Sequence, residues 1–315
     1  SDRGGVEGFA FTPGDIAVGV VVGRASEYFD FFVYGLASVL VFPALFFPQL
    51  PRLEGTLWAF AVFALAFVVR PLGTVAGMEI QNRWGRGAKL TVALVLLGTA
   101  TCGMAMLPGH ATLGAGAVVL LALFRSLQGL AVGASWDGLP SLLALNAPEQ
   151  RRGWFAMLGQ LGAPIGFALA CGLFALLYTQ LEPADFIAWG WRYPFFAAFA
   201  INVVALFARL QLVGDDAYSH ALRHRELQPC DLGLLLRQQG RHIVTGAFAA
   251  MASFALFHIV TVFPLSWIVL HDARPVGGVL VLQLVGAGVA GLGMLASGWL
   301  ADRFGRRNTL GTLAV

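Results

Sequence analysis

Charge is what this sequence has least of. Only 12% of its 315 residues are Asp, Glu, Lys or Arg, about half the share found in a soluble domain, while 58% are hydrophobic. So few charges cannot cover a globular surface, which excludes a large soluble enzyme. Lysine is nearly missing, with Lys89 standing alone among 20 basic residues. The three cysteines, Cys102, Cys171 and Cys230, have no paired spacing, which excludes a disulfide scaffold. The first two fall in apolar runs and read as small core residues, the third as a free thiol in a loop. No His or Cys cluster has metal-ligand spacing, and no Gly-rich stretch ends in the Lys-Ser/Thr of a phosphate loop. No carboxylate, His or Cys constellation has catalytic spacing. The expectation is no metal, no bound cofactor, no ATP use and no enzymatic activity, so any energy would come from an ion gradient. Residues 1–15 are polar and lack a signal-peptide pattern.

Long apolar runs are what the sequence has in abundance. Stretches of the ~20 residues needed to cross a bilayer lie near 16–42, 57–80, 89–107, 113–137, 153–179, 192–212, 241–270 and 276–300, and a ninth begins at about Asn308. With 25 Phe and 39 Gly they read as helices packed closely in lipid. Fourteen basic residues fall on the side shared with the N-terminus, three (Arg52, Arg192, Arg274) on the other, and three (Arg24, Arg70, Arg125) inside spans. That bias places the N-terminus and the polar 213–240 stretch in the cytoplasm. The net charge of +3 is thus a topology signal and not a mark of nucleic-acid binding.

Two loops repeat. Asn82-Arg83-Trp84-Gly85-Arg86 and Asp302-Arg303-Phe304-Gly305-Arg306-Arg307 lie 220 residues apart, after the second and eighth spans. A repeat offset by six helices keeps the same topology, as in transporters built from two parallel halves. The first half then occupies 16–212, the linker 213–240, and 241–315 begins a second half short of about three and a half helices.

Gly23-Arg24-Ala25-Ser26-Glu27-Tyr28-Phe29-Asp30-Phe31-Phe32-Val33-Tyr34-Gly35 resembles the first-helix signature of the metabolite:H+ symporters of the major facilitator superfamily. Arg70-Pro71-Leu72-Gly73 with Arg83, Gly85 and Arg86 is similar to that family's second helix and following loop. Arg125-Ser126-Leu127-Gln128-Gly129 with Gly133 is similar to its fourth helix, Arg152-Gly153 to the next loop, and Trp189 to Phe195 to the start of its sixth. The resemblance implies an all-α, polytopic major facilitator fold of two six-helix halves in the cytoplasmic (inner) membrane. It implies secondary transport of a small organic anion, a carboxylate metabolite, coupled to protons. A proline/betaine-like zwitterion carrier, an uncoupled facilitator and a transport-inactive receptor on the same scaffold stay open. No obligate protein partner is evident. The chain departs from the family at Asn82 (usually Asp), Met78 (usually Gly), Ser135 (usually Glu) and Arg24 (usually Asn).

The intramembrane polar residues carry the candidate chemistry. At 100° per residue, Arg24, Glu27, Phe31, Tyr34 and Ser38 share a stripe about 80° wide, with Asp30 about 60° beyond Glu27. A charge in mid-membrane costs at least ~3 kcal/mol, so these residues should face protein or a watery cavity. Asp30 and Glu27 are proton-carrying candidates, although Glu27 at i, i+3 from Arg24 can equally form a structural pair. Arg125 and Gln128 share a face of the fourth helix; Arg125 would hold substrate or bridge to Asp30 or Asp137. Arg24, Tyr34, Gln160 and Gln283 are further substrate candidates, the two glutamines serving equally well as interhelical bonds. His258, with Phe254 and Thr261 on its face, suits proton traffic or is a satisfied core histidine. Arg70 precedes a bend expected at Pro71. Gly162 to Gly166 reads as close packing with a kink more than as a hinge. Arg70, Asp137, Asn82, Arg83, Gly85, Arg86, Asp302, Arg303, Gly305 and Arg306 are gating candidates. The resemblance implies that each loop locks the halves at the cytoplasmic face, its Asp near a helix N-terminus. Neutral Asn82 would weaken the first-half lock. Asn82→Asp is therefore expected to shift the resting equilibrium toward the outward-facing state, and an unchanged inward/outward ratio in spin-label distances would contradict this.

Overall fold

The computed structural model describes residues 13–135, 143, 147–213, 232–271 and 275–313, and among them the regular structure is entirely helical. Helix α1 is Pro13–Leu40. The run Arg52–Met106 is 55 residues long, a straight rod of about 80 Å against a hydrocarbon core of about 30 Å. It breaks at Gly85, with φ 84° and ψ 174°, into α2 (52–84) and α3 (86–106). The packing shows that the two arms fold back on each other. Gly73 and Gly103 would be ~45 Å apart in one straight helix, yet they meet Leu130 and Phe124, which lie ~9 Å apart on a single helix. That helix is α4, Ala115–Ala134.

Further along are α5 (Arg152–Gln180, interrupted at 159–161) and α6 (Tyr193–Val213). Then come α7 (Leu232–Thr261 and Phe263–His271, interrupted at Val262 just before Pro264), α8 (Val276–Phe304) and α9 (Arg306–Leu313). These boundaries agree with the apolar runs within a few residues, with two differences. Residues 232–240, expected in the linker, are helical: Leu232, Leu234, Leu235, Arg237 and Gln238 are good helix formers and extend α7 backward. Pro71 does not break α2; in the 52–106 run Gly85 alone departs from helical dihedrals. Residues 214–231 and Asp137 lie outside the described residues.

Among the described residues, five segments are long and apolar enough to cross a membrane, the 52–106 run included. Large apolar side chains such as Val68, Leu72, Val119, Val204 and Leu292 stand exposed on their outer faces, as a bilayer requires and water does not permit. Inside, small residues set how closely helices approach. A Cβ on Gly73 would lie 2.1 Å from the Leu130 carbonyl oxygen, and one on Gly133 2.1 Å from that of Arg70. The Gly73/Gly77 and Gly129/Gly133 pairs are thus reciprocal notches through which α2 and α4 cross, and Thr74 Oγ1 donates across to the Gly133 carbonyl at 3.2 Å. Gly162 and Gly166 do the same for α5 against Arg24 and Phe29 of α1, so this stretch is a packing surface. Helix α8 lies against α5, and Phe257 of α7 meets Phe32 of α1 at 5.5 Å between ring centroids.

Gly133→Val is expected to lower stability by about 1–3 kcal/mol through overpacking. Gly172→Ala, where a Cβ meets open space, should be neutral or gain less than ~1 kcal/mol. Thermal unfolding of the detergent-solubilised protein checks both.

Candidate functional site

The deepest polar cluster joins three helices. Asp30 of α1 is 4% exposed, Thr101 of α3 0%, and Arg125 and Gln128 of α4 3% and 1%. Thr101 Oγ1 donates to Asp30 Oδ1 at 3.1 Å, and Gln128 Nε2 donates to Asp30 Oδ2 at 2.5 Å. On its other side Gln128 Oε1 accepts from Arg125 Nη1. The amide therefore relays between a carboxylate and a guanidinium that make no direct ion pair among the described residues. Arg125 Nε donates to the Phe63 carbonyl at 3.3 Å, and its guanidinium lies 4.1 Å from the Tyr34 ring centroid and 4.7 Å from that of Phe63. Two aromatic faces thus support a cation withdrawn from water. Nη2 is left without a protein acceptor among the described residues.

This cluster borders a cavity of about 330 Å³ between α1, α2, α4 and α7, at the small end of the ~300–1,000 Å³ usual for ligand sites. Arg24, Arg70 and Arg125 line it with Glu27 and Asp30, as do His258 and several aromatic rings. Arg24 and Glu27 pair at 2.8 Å, as their i, i+3 spacing allows. The Arg70 side chain makes no hydrogen bond or ion pair among the described residues, while its backbone carbonyl accepts from Thr74 Oγ1 at 3.3 Å. With His258 neutral, three guanidiniums against two carboxylates leave the cavity with one net positive charge.

Sequence reasoning brought most of this together, with exceptions. Tyr34 does not line the cavity; it is fully buried behind Arg125, stacked on Phe63 at 5.4 Å. Gln160 is exposed at the interruption of α5. Gln283 lines a separate, larger cavity between α5, α7 and α8, and donates to the Thr261 carbonyl at 2.5 Å beside the break in α7. That is the interhelical alternative. His258 reaches the cavity, but among rings and not within the Asp30 cluster. Thr101 was missed: a threonine in an apolar run carries no signal in one dimension. Arg70, read as a gate, sits in the cavity wall.

The loop residues divide. Asp302, from the second-half repeat, accepts from the backbone N–H groups of Gly153 at 2.6 Å and Trp154 at 2.9 Å. It therefore caps the N-terminus of α5 from across the half-to-half boundary, where the helix dipole favours a negative charge. A Cβ on Gly153 would lie 2.6 Å from Asp302 Oδ1 and push the capping carboxylate away. The first-half counterpart Asn82 is exposed, and Arg83 pairs with Glu79 of its own helix at 2.6 Å. Arg86 and Arg306 follow the two turn glycines, Gly85 and Gly305, which both have φ 84°. Arg303 lies over the Trp299 ring at 5.1 Å. At the opposite end of the bundle, Arg52 Nη2 donates to the Val269 carbonyl of α7 at 2.8 Å, a further contact between halves that the sequence did not disclose.

Residues 16–213 match the family described as sugar (and other) transporter. The chain belongs to this family of the major facilitator superfamily, whose members are membrane transporters and not enzymes. It is 38% identical over 301 residues to the inner membrane metabolite transport protein YhjE of Escherichia coli K12, across 94% of this chain and 68% of that protein. To the shikimate transporter of the same organism it is 32% identical over 308 residues, across 95% of this chain and 70% of that protein. It spans, then, little more than two thirds of these relatives. The fold is similar to that of the E. coli xylose transporter XylE in a partially occluded inward-open conformation, with TM-score 0.62, 19% identity, and 93% of this chain and 74% of that one covered.

The cap on α5 makes its own prediction. In Asp302→Ala, and equally in Gly153→Val, hydrogen–deuterium exchange of the segment around Gly153 and Trp154 is expected to accelerate. Unchanged protection in both variants would contradict the cross-boundary cap.

Proposed function

We propose that this protein is a proton-coupled symporter that carries a small organic anion into the cell across the inner membrane, with its N-terminus in the cytoplasm. The observation that supports this reading is the relay from Asp30 through Gln128 to Arg125 at the edge of a cavity with one net positive charge. While Asp30 is ionised, it balances Arg125 through the amide. A proton on Asp30 removes that balance and leaves the guanidinium, with its spare Nη2, to attract an anion. By linkage, proton and anion then favour each other's binding. Arg70, uncommitted on α2, supplies a second donor for a carboxylate. Glu27 and Arg24 form a neutral pair at the cavity wall, and His258 is a secondary proton-carrying candidate. The basic-residue bias supports the orientation, and relatives named as an inner membrane metabolite transport protein and a shikimate transporter support the location and the class of cargo.

The test uses the full-length protein in liposomes holding a pH dye, with di- and tricarboxylates, shikimate, proline and betaine added outside. The expected result is internal acidification with one anionic compound, lost in Asp30→Asn. Entry of labelled compound without acidification would replace symport by facilitated diffusion, and neither signal would refute transport of these compounds.

A further inference from the structure

Besides its charged groups, the cavity is lined largely by aromatic rings. Phe31 of α1, Phe67 of α2, and Phe254, Phe257 and His258 of α7 face it. The His258 ring lies 5.5 Å from Phe31, 6.1 Å from Phe67 and 5.9 Å from Phe257, and Phe31 lies 5.7 Å from Phe67, mostly edge to face. Tyr28 of α1 joins this wall, its ring 6.2 Å from that of Phe257, and apart from its hydroxyl and the His258 nitrogens the wall offers π faces and edges. Each class of small ligand meets it differently. A di- or tricarboxylate would press any charge beyond those the guanidiniums reach against a wall that is mostly hydrocarbon ring, a poorly compensated desolvation. A quaternary ammonium would find π faces, but in a cavity that holds three guanidiniums. A flat ring bearing one carboxylate meets both sides at once, its anionic end at Arg70 and Arg125 Nη2 and its faces against the phenylalanines.

We infer that the substrate is an aromatic monocarboxylate, held by Phe67 from the first half and Phe254 from the second; this rests on the anion-carrier reading above. Both side chains are substantially exposed, at 40% and 57%, so each has face to give to a ligand. A ring lying between them contacts both halves at once. The same aromatic contacts that select the substrate thereby draw the halves together around it, which a small aliphatic acid on the arginines alone would not do.

Calorimetric binding to the purified full-length protein in detergent tests this with benzoate, cyclohexanecarboxylate, hexanoate and 2-oxoglutarate. Benzoate is expected to bind about tenfold tighter than hexanoate, with cyclohexanecarboxylate between them and 2-oxoglutarate weakest. Phe67→Leu and Phe254→Leu should each cut the benzoate preference about fivefold while leaving hexanoate within about twofold. Phe67→Tyr, which keeps the ring, should retain the preference, and unchanged melting temperatures would show that the variants fold. Arg70→Gln should weaken all the monocarboxylates alike. Equal affinities for benzoate and hexanoate, or a preference indifferent to both leucine variants, would overturn the aromatic inference and leave the anion carrier standing. Failure of every carboxylate to bind would overturn both.

Discussion

A charge placed among membrane-spanning helices has no bulk water to retreat to, and the rest of this structure is arranged around that constraint. Asp30 and Arg125 are each nearly sealed from solvent, where an unbalanced charge is costly and a half-satisfied polar network is worse than an apolar core. The solution is an amide. Gln128 accepts from the guanidinium with its oxygen and donates to the carboxylate with its nitrogen, a dual capacity that few side chains possess. Thr101 takes the other carboxylate oxygen, and the rings of Tyr34 and Phe63 support the cation. Because the amide mediates the pair, the two charges are balanced without a direct ion pair.

Such bonds demand backbones close enough to make them. The notches at Gly73, Gly77, Gly129 and Gly133 bring α2 against α4, and Gly162 and Gly166 bring α5 against α1. These two crossings fix α1 and α4 on either side of the relay. The chain reverses at Gly85 and Gly305, two turns with the same φ of 84°, a backbone conformation that suits glycine. Chemical divergence is laid on this symmetry: Asp302 reaches the N-terminus of α5, while the equivalent Asn82 carries no charge. The halves therefore do not contribute equally to the contact at this end of the bundle.

What the sequence disclosed was what is local in one dimension. Span length, the side on which arginines accumulate, the i, i+3 pairing of Arg24 with Glu27 and the repeated loop all depend on spacing along the chain. The boundaries of α3, α6 and α8 follow from that spacing within a few residues. What it did not disclose depends on crossings between helices. Thr101 is an unremarkable residue until α3 folds back beside α1. Arg70 looks like a partner of Pro71 until α2 turns it toward α7. Gln160 and Gln283 have the right chemistry on faces that the packing directs elsewhere. Arg52 finds a carbonyl more than two hundred residues away.

The central claim is that Asp30 and Arg125 act as one charge-balanced unit, and a double-mutant cycle on stability addresses it most directly. Asp30→Asn and Arg125→Gln, made singly and together in the full-length protein, are compared by thermal unfolding at one pH. Each single change strands a buried charge, whereas the double change leaves a neutral, hydrogen-bonding cluster. The account predicts that the double variant is destabilised by clearly less than the sum of the two single losses. Strictly additive losses would contradict it.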